Sequence, residues 1–180
     1  MTISLTGRCR NTGMFGVAIT TSSISVGSRC PHARAGVGAV ATQNITDPHL
    51  ETLVLNQMED VHSAQEAINR VTTNQDFVNY RQLTAIDHNG TTAHFTGTHI
   101  LGTHAIHEAV DCVAAGNLLS SSAVPKSMAA GFNLNPEAHL AERLILGLEA
   151  GIAAGGEAGP VHSAALIVTD KMPFYLVDLR

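Results

Sequence analysis

The residue whose position best suits it for catalysis is the threonine that directly follows the initiator methionine, Thr2. Once Met1 is removed, the Thr2 hydroxyl can act as a nucleophile. Its own α-amine, with an unperturbed pKa of about 8, can accept the proton. Because the side chain of Thr2 is small, removal of Met1 by an aminopeptidase is chemically reasonable. The sequence therefore predicts a catalytic N-terminus that needs no histidine.

Such a nucleophile needs a positive charge that keeps the amine neutral and donors that face a tetrahedral oxyanion. Arg34 is the candidate for the charge, and Asn117 and Gln43 are candidates for holding the oxyanion or the substrate. Further substrate contacts are expected from hydroxyl, amide and guanidinium side chains near strand ends, namely Ser4, Ser22, Ser23, Arg29 and Asn44. Two arginines favour an anionic group in the substrate, because guanidinium matches carboxylate or phosphate geometry.

Thr2 is expected on the first strand of a hairpin. Hydroxyl and apolar side chains alternate over Thr2–Thr6, Asn11–Gly13 supplies a turn, and Phe15–Ile19 resumes the alternation. Counting outward from this turn places Thr2 roughly opposite residues 21–22. The open end of the hairpin is therefore rich in hydroxyl groups.

The remaining elements are predicted from periodicity and capping signals. After an irregular loop over residues 22–35, strands are expected at Gly36–Gln43, Tyr80–Asp87, Thr92–Gly97, Val110–Ala115, Ser163–Thr169 and Phe174–Leu179. Helices are expected from Asp47-Pro48, from the Ser63/Glu66 capping box to about Thr73, over Ser120–Gly131, and from Asn135-Pro136 to Gly155-Gly156. This order predicts one α+β domain over residues 1–180, with two stacked, mostly antiparallel sheets between helix pairs.

Composition limits the function classes. The chain has 180 residues, of which 44% are hydrophobic and 14% charged, as expected for a compact globular protein. A net charge of −5 without a basic run argues against nucleic-acid binding, and no long apolar run predicts a membrane span. No signal peptide is recognised, and three cysteines cannot all pair within one chain. We therefore expect a cytoplasmic protein.

The histidine-rich segment offers a different chemistry. Four imidazoles lie close together in sequence, at His94, His99, His104 and His107, and the last two would be one turn apart on a helix. The alternative is that they are solvated or hydrogen-bonded loop histidines. No standard zinc signature is present, so no metal or other cofactor is expected.

The segment Pro31–Gln43, PHARAGVGAVATQ, resembles the signature of a bacterial family of unknown function in the N-terminal-nucleophile (Ntn) hydrolase-like superfamily. Further matching segments are Met1–Ser4, Gly16–Ala18, Tyr80–Gln82, Thr96-Gly97, Gly116–Leu119, Leu140–Leu144 and Ser163–Leu166. The resemblance implies a four-layer αββα sandwich and an amidohydrolase-like ancestry. It also makes His104 a candidate pocket residue.

Two positions depart from that family pattern. Ser22-Ser23-Ile24 stands where similar proteins carry a lysine and bulky residues, and Thr103 replaces an aromatic side chain. Arg34 must therefore take the role of the missing lysine if the Thr2 amine is to be tuned.

Together these features predict an Ntn-type hydrolase that cleaves an amide or related C–N bond of a small metabolite, with Thr2, Arg34 and Asn117 as its catalytic group. One alternative is a non-catalytic small-molecule-binding protein that retains the fold. A second is a metal-dependent hydrolase built on the four histidines. The expected partners are a small-molecule substrate and further copies of this chain, in a homodimer or higher homo-oligomer, because superfamily relatives often assemble.

Overall fold

The computed structural model describes residues 1–60, 62–73 and 75–180. Within these residues the strands are β1 (Thr2–Arg8), β2 (Phe15–Thr21), β3 (Pro31–Arg34), β4 (Gly38–Asn44), β5 (Arg81–Asp87), β6 (Thr92–Thr96), β7 (Ala105–Ala109), β8 (Cys112–Asn117), β9 (Ser163–Thr169) and β10 (Tyr175–Leu179). The α-helices are α1 (His49–Glu59), α2 (Ala64–Thr72), α3 (Val124–Phe132) and α4 (Leu140–Ala153).

The strands form two antiparallel sheets that stack face to face. The six-stranded sheet has the order β10-β9-β2-β1-β8-β7, and the four-stranded sheet has the order β3-β4-β5-β6. Helices α3 and α4 pack on the six-stranded sheet, α1 and α2 pack on the four-stranded sheet, and β1 and β2 contact the opposite sheet. The predicted α+β class, antiparallel sheets and flanking helix pairs are confirmed.

The alternation in β1 decides which side chains enter which layer. Ile3 and Leu5 belong to the apolar cluster beneath α3 and α4, where Gly147 lets α4 approach Leu5 closely. Thr6 points the other way and its hydroxyl lies 3.0 Å from the Thr84 hydroxyl on the facing sheet. By the two-residue period of a strand, Thr2 and Ser4 also face the layer between the sheets.

The layer between the sheets is apolar at one end and polar at the other. The apolar end is a buried cluster of Phe15, Val17, Ala33, Ala39, Ala41, Ile86 and Ile167. At the other end, buried polar side chains replace the apolar ones, namely Thr2, Ser4, Thr21, Gln43, Gln82 and Asn117. Buried polar groups require hydrogen-bond partners, so this end is where a functional site is expected.

Local capping signals place the first two helices correctly. The Ser63 hydroxyl accepts from the Glu66 backbone N–H, and the Glu66 carboxylate accepts from the Ser63 N–H, so α2 begins with the predicted capping box. Helix α1 begins at His49, one residue later than predicted, and its first N–H donates to Oδ1 of Asp47 at 3.1 Å.

Several sequence-based boundaries are wrong, and helix α3, for example, begins at Val124 rather than at Ser120. Residues 22–35 are not all loop, because Pro31–Arg34 forms strand β3 at the edge of its sheet. Proline has no backbone N–H, but a proline at the first position of an edge strand does not disrupt the pairing. Strand β7 was missed, and Val110-Asp111, predicted as strand, is the turn between β7 and β8, with Asp111 at φ 56°. Helix α4 begins at Leu140 rather than at Asn135-Pro136, because the ring nitrogen of His139 caps it by accepting from Ala141 N–H at 3.2 Å.

Candidate active site

Thr2 lies in the middle of three adjacent strands. It is opposite Thr21 on β2, as predicted from the hairpin, and opposite Asn117 on β8. Its side chain is buried, with only 6% of the residue exposed, and Oγ1 lies 3.0 Å from Oγ1 of Thr21. The predicted nucleophile is thus a buried hydroxyl in a hydrogen-bonded pair.

The carbonyl of Met1 occupies a position between two donors next to Thr2. The Thr21 hydroxyl donates to Met1 O at 2.5 Å, and the Ser22 backbone N–H donates to the same oxygen at 3.2 Å. A threonine hydroxyl has one proton, so when Thr21 donates to Met1 O it must accept from Thr2. The Thr2 hydroxyl proton is therefore directed at Thr21, beside a carbonyl oxygen held by two donors.

A second wall of this region comes from the segment after α4. Glu157 forms a β-bridge with Leu119, and its Oε1 accepts from the Thr20 hydroxyl at 2.9 Å. A Cβ at Gly159 would lie 2.5 Å from the terminal carbon of Met1, so the Met1 side chain packs against this glycine. Met1 is thus enclosed by the end of the hairpin on one side and by Glu157–Gly159 on the other.

Glu157 brings a carboxyl group to this end of the sheet. Burial raises its pKa, while the Thr20 hydroxyl and the positive charge of the N-terminus act in the opposite direction. Its Oε2 is buried without a hydrogen-bond partner among the described residues. Sequence reasoning missed Glu157, because nothing in its local pattern indicates that the chain returns to the N-terminus here.

A chain of buried amides lies beneath Thr2. The Gln43 side-chain amide donates to Oε1 of Gln82 at 2.6 Å, and the Asn117 amide donates to the same oxygen at 3.5 Å. Gln82 in turn donates to the backbone carbonyl of Gly116 at 3.4 Å. The structure therefore brings Gln43 and Asn117 together through Gln82, a residue that the predicted site omitted.

The other predicted contacts lie around the rim of the same end. The Arg29 guanidinium donates to the Ser23 hydroxyl at 2.5 Å and to the Ile24 carbonyl at 2.6 Å, so it orders the loop that follows Thr21. The ammonium group of Met1 donates to the Ser22 hydroxyl at 3.2 Å. Ser4 is buried one step further along the Thr2 face of β1, and its hydroxyl has no partner among the described residues.

Asn44 and His104 lie further out. The Asn44 amide donates to the Tyr80 carbonyl at 2.7 Å and accepts from Leu101 N–H at 3.2 Å, so it ties two loops to the end of β4. His104 is exposed, and its Nδ1 lies 3.0 Å from the Gly102 carbonyl oxygen. It lies just before β7, the strand that pairs with the one carrying Asn117. Its hydrogen-bond partner is Gly102 and none of the buried amides.

Arg34 is not at this site, contrary to the sequence-based expectation. It pairs with Gly38, whereas Gln43 lies five residues further along β4, about 17 Å away at the usual rise of a strand. Its guanidinium donates to Glu59 at 2.5 Å and to Asn56 at 3.0 Å, both on α1. Proximity in sequence to the β4 signature misled the prediction, because β3 runs back along β4 and carries Arg34 to the far end.

The histidines of residues 94–107 are dispersed. His94 lies 3.3 Å from the Glu108 carboxylate, and His99 packs on the Tyr80 ring with centroids 4.8 Å apart. His107 is on strand β7, so His104 and His107 do not share a helix face. Across residues 1–60, 62–73 and 75–180, no group of three or more His, Cys, Asp or Glu side chains is placed to hold a metal ion.

Comparison with known proteins gives the family. Residues 2–180 match the family described as a family of unknown function, DUF1028. The chain belongs to this family. The crystal structure of protein SPO2555 from Silicibacter pomeroyi, described with the same family, is similar at a TM-score of 0.89 and 28% identity, over 99% of this chain and 79% of that chain. No protein of curated function matches the sequence.

In this DUF1028 protein, the end of the sandwich around Thr2 combines a buried hydroxyl pair, two donors on one carbonyl oxygen and a chain of amides. Hydroxyl and backbone N–H donors of this kind can stabilise a developing negative charge in a site shielded from water. None of the described helices combines the length and apolar character that a bilayer crossing requires.

Proposed function

We propose that this protein is an Ntn-type hydrolase that cleaves an amide or related C–N bond of a small molecule, with Thr2 as nucleophile after loss of Met1. One observation carries the proposal: the Thr21 hydroxyl contacts both Oγ1 of Thr2, at 3.0 Å, and the Met1 carbonyl oxygen, at 2.5 Å. A carbonyl group attached to Thr2 therefore already lies among donors suited to an oxyanion.

Removal of Met1 would vacate the place of that carbonyl. The acyl group of a substrate then enters the same space, with its oxygen between the Thr21 hydroxyl and the Ser22 N–H. The α-amine of Thr2 accepts the hydroxyl proton through a water molecule, and Oγ1 forms a bond to the carbonyl carbon. The proton passes to the leaving amine as the C–N bond breaks. Water then hydrolyses the Thr2 ester to release the carboxylic acid.

In this proposal the surroundings of Thr2, rather than Arg34, keep the α-amine neutral. A neutral amine is required for the base role, and desolvation disfavours the charged form of an amine. Thr2 is almost fully enclosed, while Arg34 is bound to Glu59 at the far end of β4. In this proposal Asn117 and Gln43, joined by Gln82, contact the substrate or support the wall beneath it.

The experiment begins with the intact mass of protein purified from its native host, which must be lower by one methionine. The processed protein is then treated with a small β-lactone, whose ring opens when a nucleophilic hydroxyl attacks it. We expect one adduct on Thr2, none in Thr2→Ala and retained labelling in Thr2→Ser. Thr6→Ala is the matched control, because Thr6 is a buried hydroxyl on the same strand face, bonded to Thr84 instead. Retained methionine, or equal labelling of Thr2→Ala, would remove the mechanism.

A second candidate is a non-catalytic small-molecule-binding protein. It is favoured by the enclosure of Thr2 and by the close packing of the Met1 side chain against Gly159. In that case metabolites that raise the melting temperature would stabilise the wild type and Thr2→Ala equally, and neither would react with the β-lactone.

A further inference from the structure

A separate cavity lies at the opposite end of β1 from Thr2. It has a volume of about 230 Å³ and opens where the β1–β2 turn meets the connection between α3 and α4. Its lining includes Cys9, Asp111, Asn133 and Arg143. The Thr2 mechanism uses none of these residues.

Arg143 is a buried cation on α4. Only 4% of the residue is exposed, and its guanidinium carbon lies 4.0 Å from the centre of the Phe132 ring. Its Nε donates to the Phe132 carbonyl at 3.2 Å, and its Nη2 contacts Oδ1 of Asn133 at 3.5 Å. Throughout the described ranges, no carboxylate lies within 4.0 Å of this guanidinium.

These contacts use only two of the three guanidinium nitrogens. The Phe132 carbonyl belongs to the last turn of α3, where the negative end of the helix dipole favours a cation. That cap uses Nε and Nη2, and Nη1 has no acceptor in the described part of the chain. Because Nη1 is not sealed from solvent, an anion that enters the adjoining cavity would supply the acceptor that the described chain does not.

The other charged groups of the lining leave Arg143 available. Asp111 lies 3.3 Å from Arg10, which also lines the cavity, and Glu137 borders it as well. The volume of about 230 Å³ corresponds to about eight water molecules, which is room for a small anion.

Cys9 presents a thiol to the same cavity. Burial by itself raises the pKa of this thiol, but the Thr12 hydroxyl, backbone donors of Thr12 and Asn11 and the charge of Arg143 outweigh burial and lower the pKa below 9.0. The other two cysteines differ: burial raises the pKa of Cys30 to about 11 and that of Cys112 to about 12.

We propose that this cavity is a binding site for a small carboxylate or phosphate-type oxyanion, held by the Arg143 guanidinium against the Cys9 thiol. Guanidinium is the side chain best matched to both anion types, because its planar donors fit two oxygens at once. Because Cys9 lines the same cavity, an anionic electrophile bound by Arg143 would lie close to the Cys9 thiol.

The test compares two alkylating reagents of nearly equal size, iodoacetate and iodoacetamide, on the wild-type protein. The Cys9 sulfur attacks the methylene carbon, an S–C bond forms, iodide leaves and the thiol proton passes to solvent. Rates at each cysteine are read by peptide mass spectrometry and divided by the rates of glutathione with the same reagent. We expect Cys9 to favour iodoacetate about tenfold, the effect of about 1.4 kcal/mol of anion binding. Because Cys30 and Cys112 are buried and their pKa values are raised, neither should react at a rate comparable with that of Cys9.

Inorganic phosphate provides the second measurement. At millimolar concentration, phosphate should slow the reaction of Cys9 with neutral iodoacetamide. It should not change the rate at which a lysine-directed reagent modifies surface lysines. Arg143→Lys should weaken the iodoacetate preference, since a single ammonium replaces the planar fork, and Arg143→Met should abolish it. If these variants unfold, the wild-type comparison still decides. Equal normalised rates for the two reagents at Cys9, or no phosphate protection, would mean that Arg143 is a helix cap only.

Discussion

Nδ1 of His32 lies 3.2 Å from Oε2 of Glu51, and the Glu51 side chain is fully buried between α1 and the four-stranded sheet. The two atoms are within ion-pair distance without the alignment of a hydrogen bond. Burial raises the pKa of Glu51 to about 7, and the nearby His32 only partly opposes this. A carboxyl group that ionises near neutrality in the folded state must make stability depend on pH.

The first prediction is that stability falls as the pH rises through this range. Because the folded-state pKa of Glu51 is above the unfolded value of 4.5, its protonated form stabilises the fold below that value, and this contribution is lost as pH rises through about 7. The free energy of unfolding lost across this pH range is about 3 kcal/mol. Glu51→Gln should flatten the profile in urea denaturation at pH 5 and pH 8. Glu149→Gln, at an exposed site on α4, is the control, and identical profiles for wild type and Glu51→Gln would contradict the prediction.

The second prediction concerns the Thr21 hydroxyl. Thr21→Ala removes the donor that now holds the Met1 carbonyl oxygen, so β-lactone labelling of Thr2 should slow by about 10²–10³, the usual effect of one oxyanion donor. Thr21→Ser keeps the hydroxyl and should recover most of the rate. The measurement is the rate of adduct formation by intact mass, with Thr6→Ala as the matched control. A rate for Thr21→Ala equal to that of Thr6→Ala would exclude the donor role.

The third prediction separates the two arginines of the 22–35 segment. Arg34→Gln should leave Thr2 labelling unchanged and cost less than about 1 kcal/mol, because its partner is the exposed carboxylate of Glu59. Arg29→Gln should slow labelling several-fold, because Arg29 holds Ser23 and the loop after Thr21. Labelling rates and melting temperatures of both variants provide the check. If Arg34→Gln lost labelling and Arg29→Gln did not, Arg34 would again be assigned as the charge that tunes the Thr2 amine.

The fourth prediction concerns the buried amides. Gln82→Met removes the acceptor shared by Gln43 and Asn117 and should destabilise the protein by about 1–3 kcal/mol, the cost of leaving buried donors unpaired. The double variant Gln43→Met/Gln82→Met should recover part of this loss, since one donor disappears with its acceptor. Urea denaturation measures both. Gln65→Met, on the exposed face of α2, is the control, and an equal effect there would argue against the network.

Much of the framework follows from local sequence. The alternation of β1 and the turn at Asn11–Gly13 fix the register that sets Thr2 opposite Thr21. The Ser63/Glu66 pair fixes the start of α2, and Asn89-Gly90 fixes the hairpin of β5 and β6. These features involve residues within a few positions of one another, so side-chain period and turn chemistry are enough to specify them.

Local patterns failed where a short element had no strong signal. Strand β7 lies in a histidine-rich segment, and the two-residue turn that follows it, Val110-Asp111, lacks the glycine that usually indicates such a turn. Strand β3 contains a proline and two charged or ionisable residues and resembles a loop. In both cases pairing with a neighbouring strand supplies the stability that the segment lacks alone.

Only the tertiary structure determined which residues surround Thr2. Asn117 pairs with Thr2 from a strand more than a hundred residues away, and Glu157 bonds to Thr20 beside it. Gln82 reaches Gly116 from the opposite sheet, and Arg34 is carried away to the other end of β4. The sequence by itself determined the hydroxyl, its strand and its hairpin partner. The rest depended on how two sheets stack, because contacts between distant segments arise from packing of whole layers and leave no periodic trace in the residues that make them.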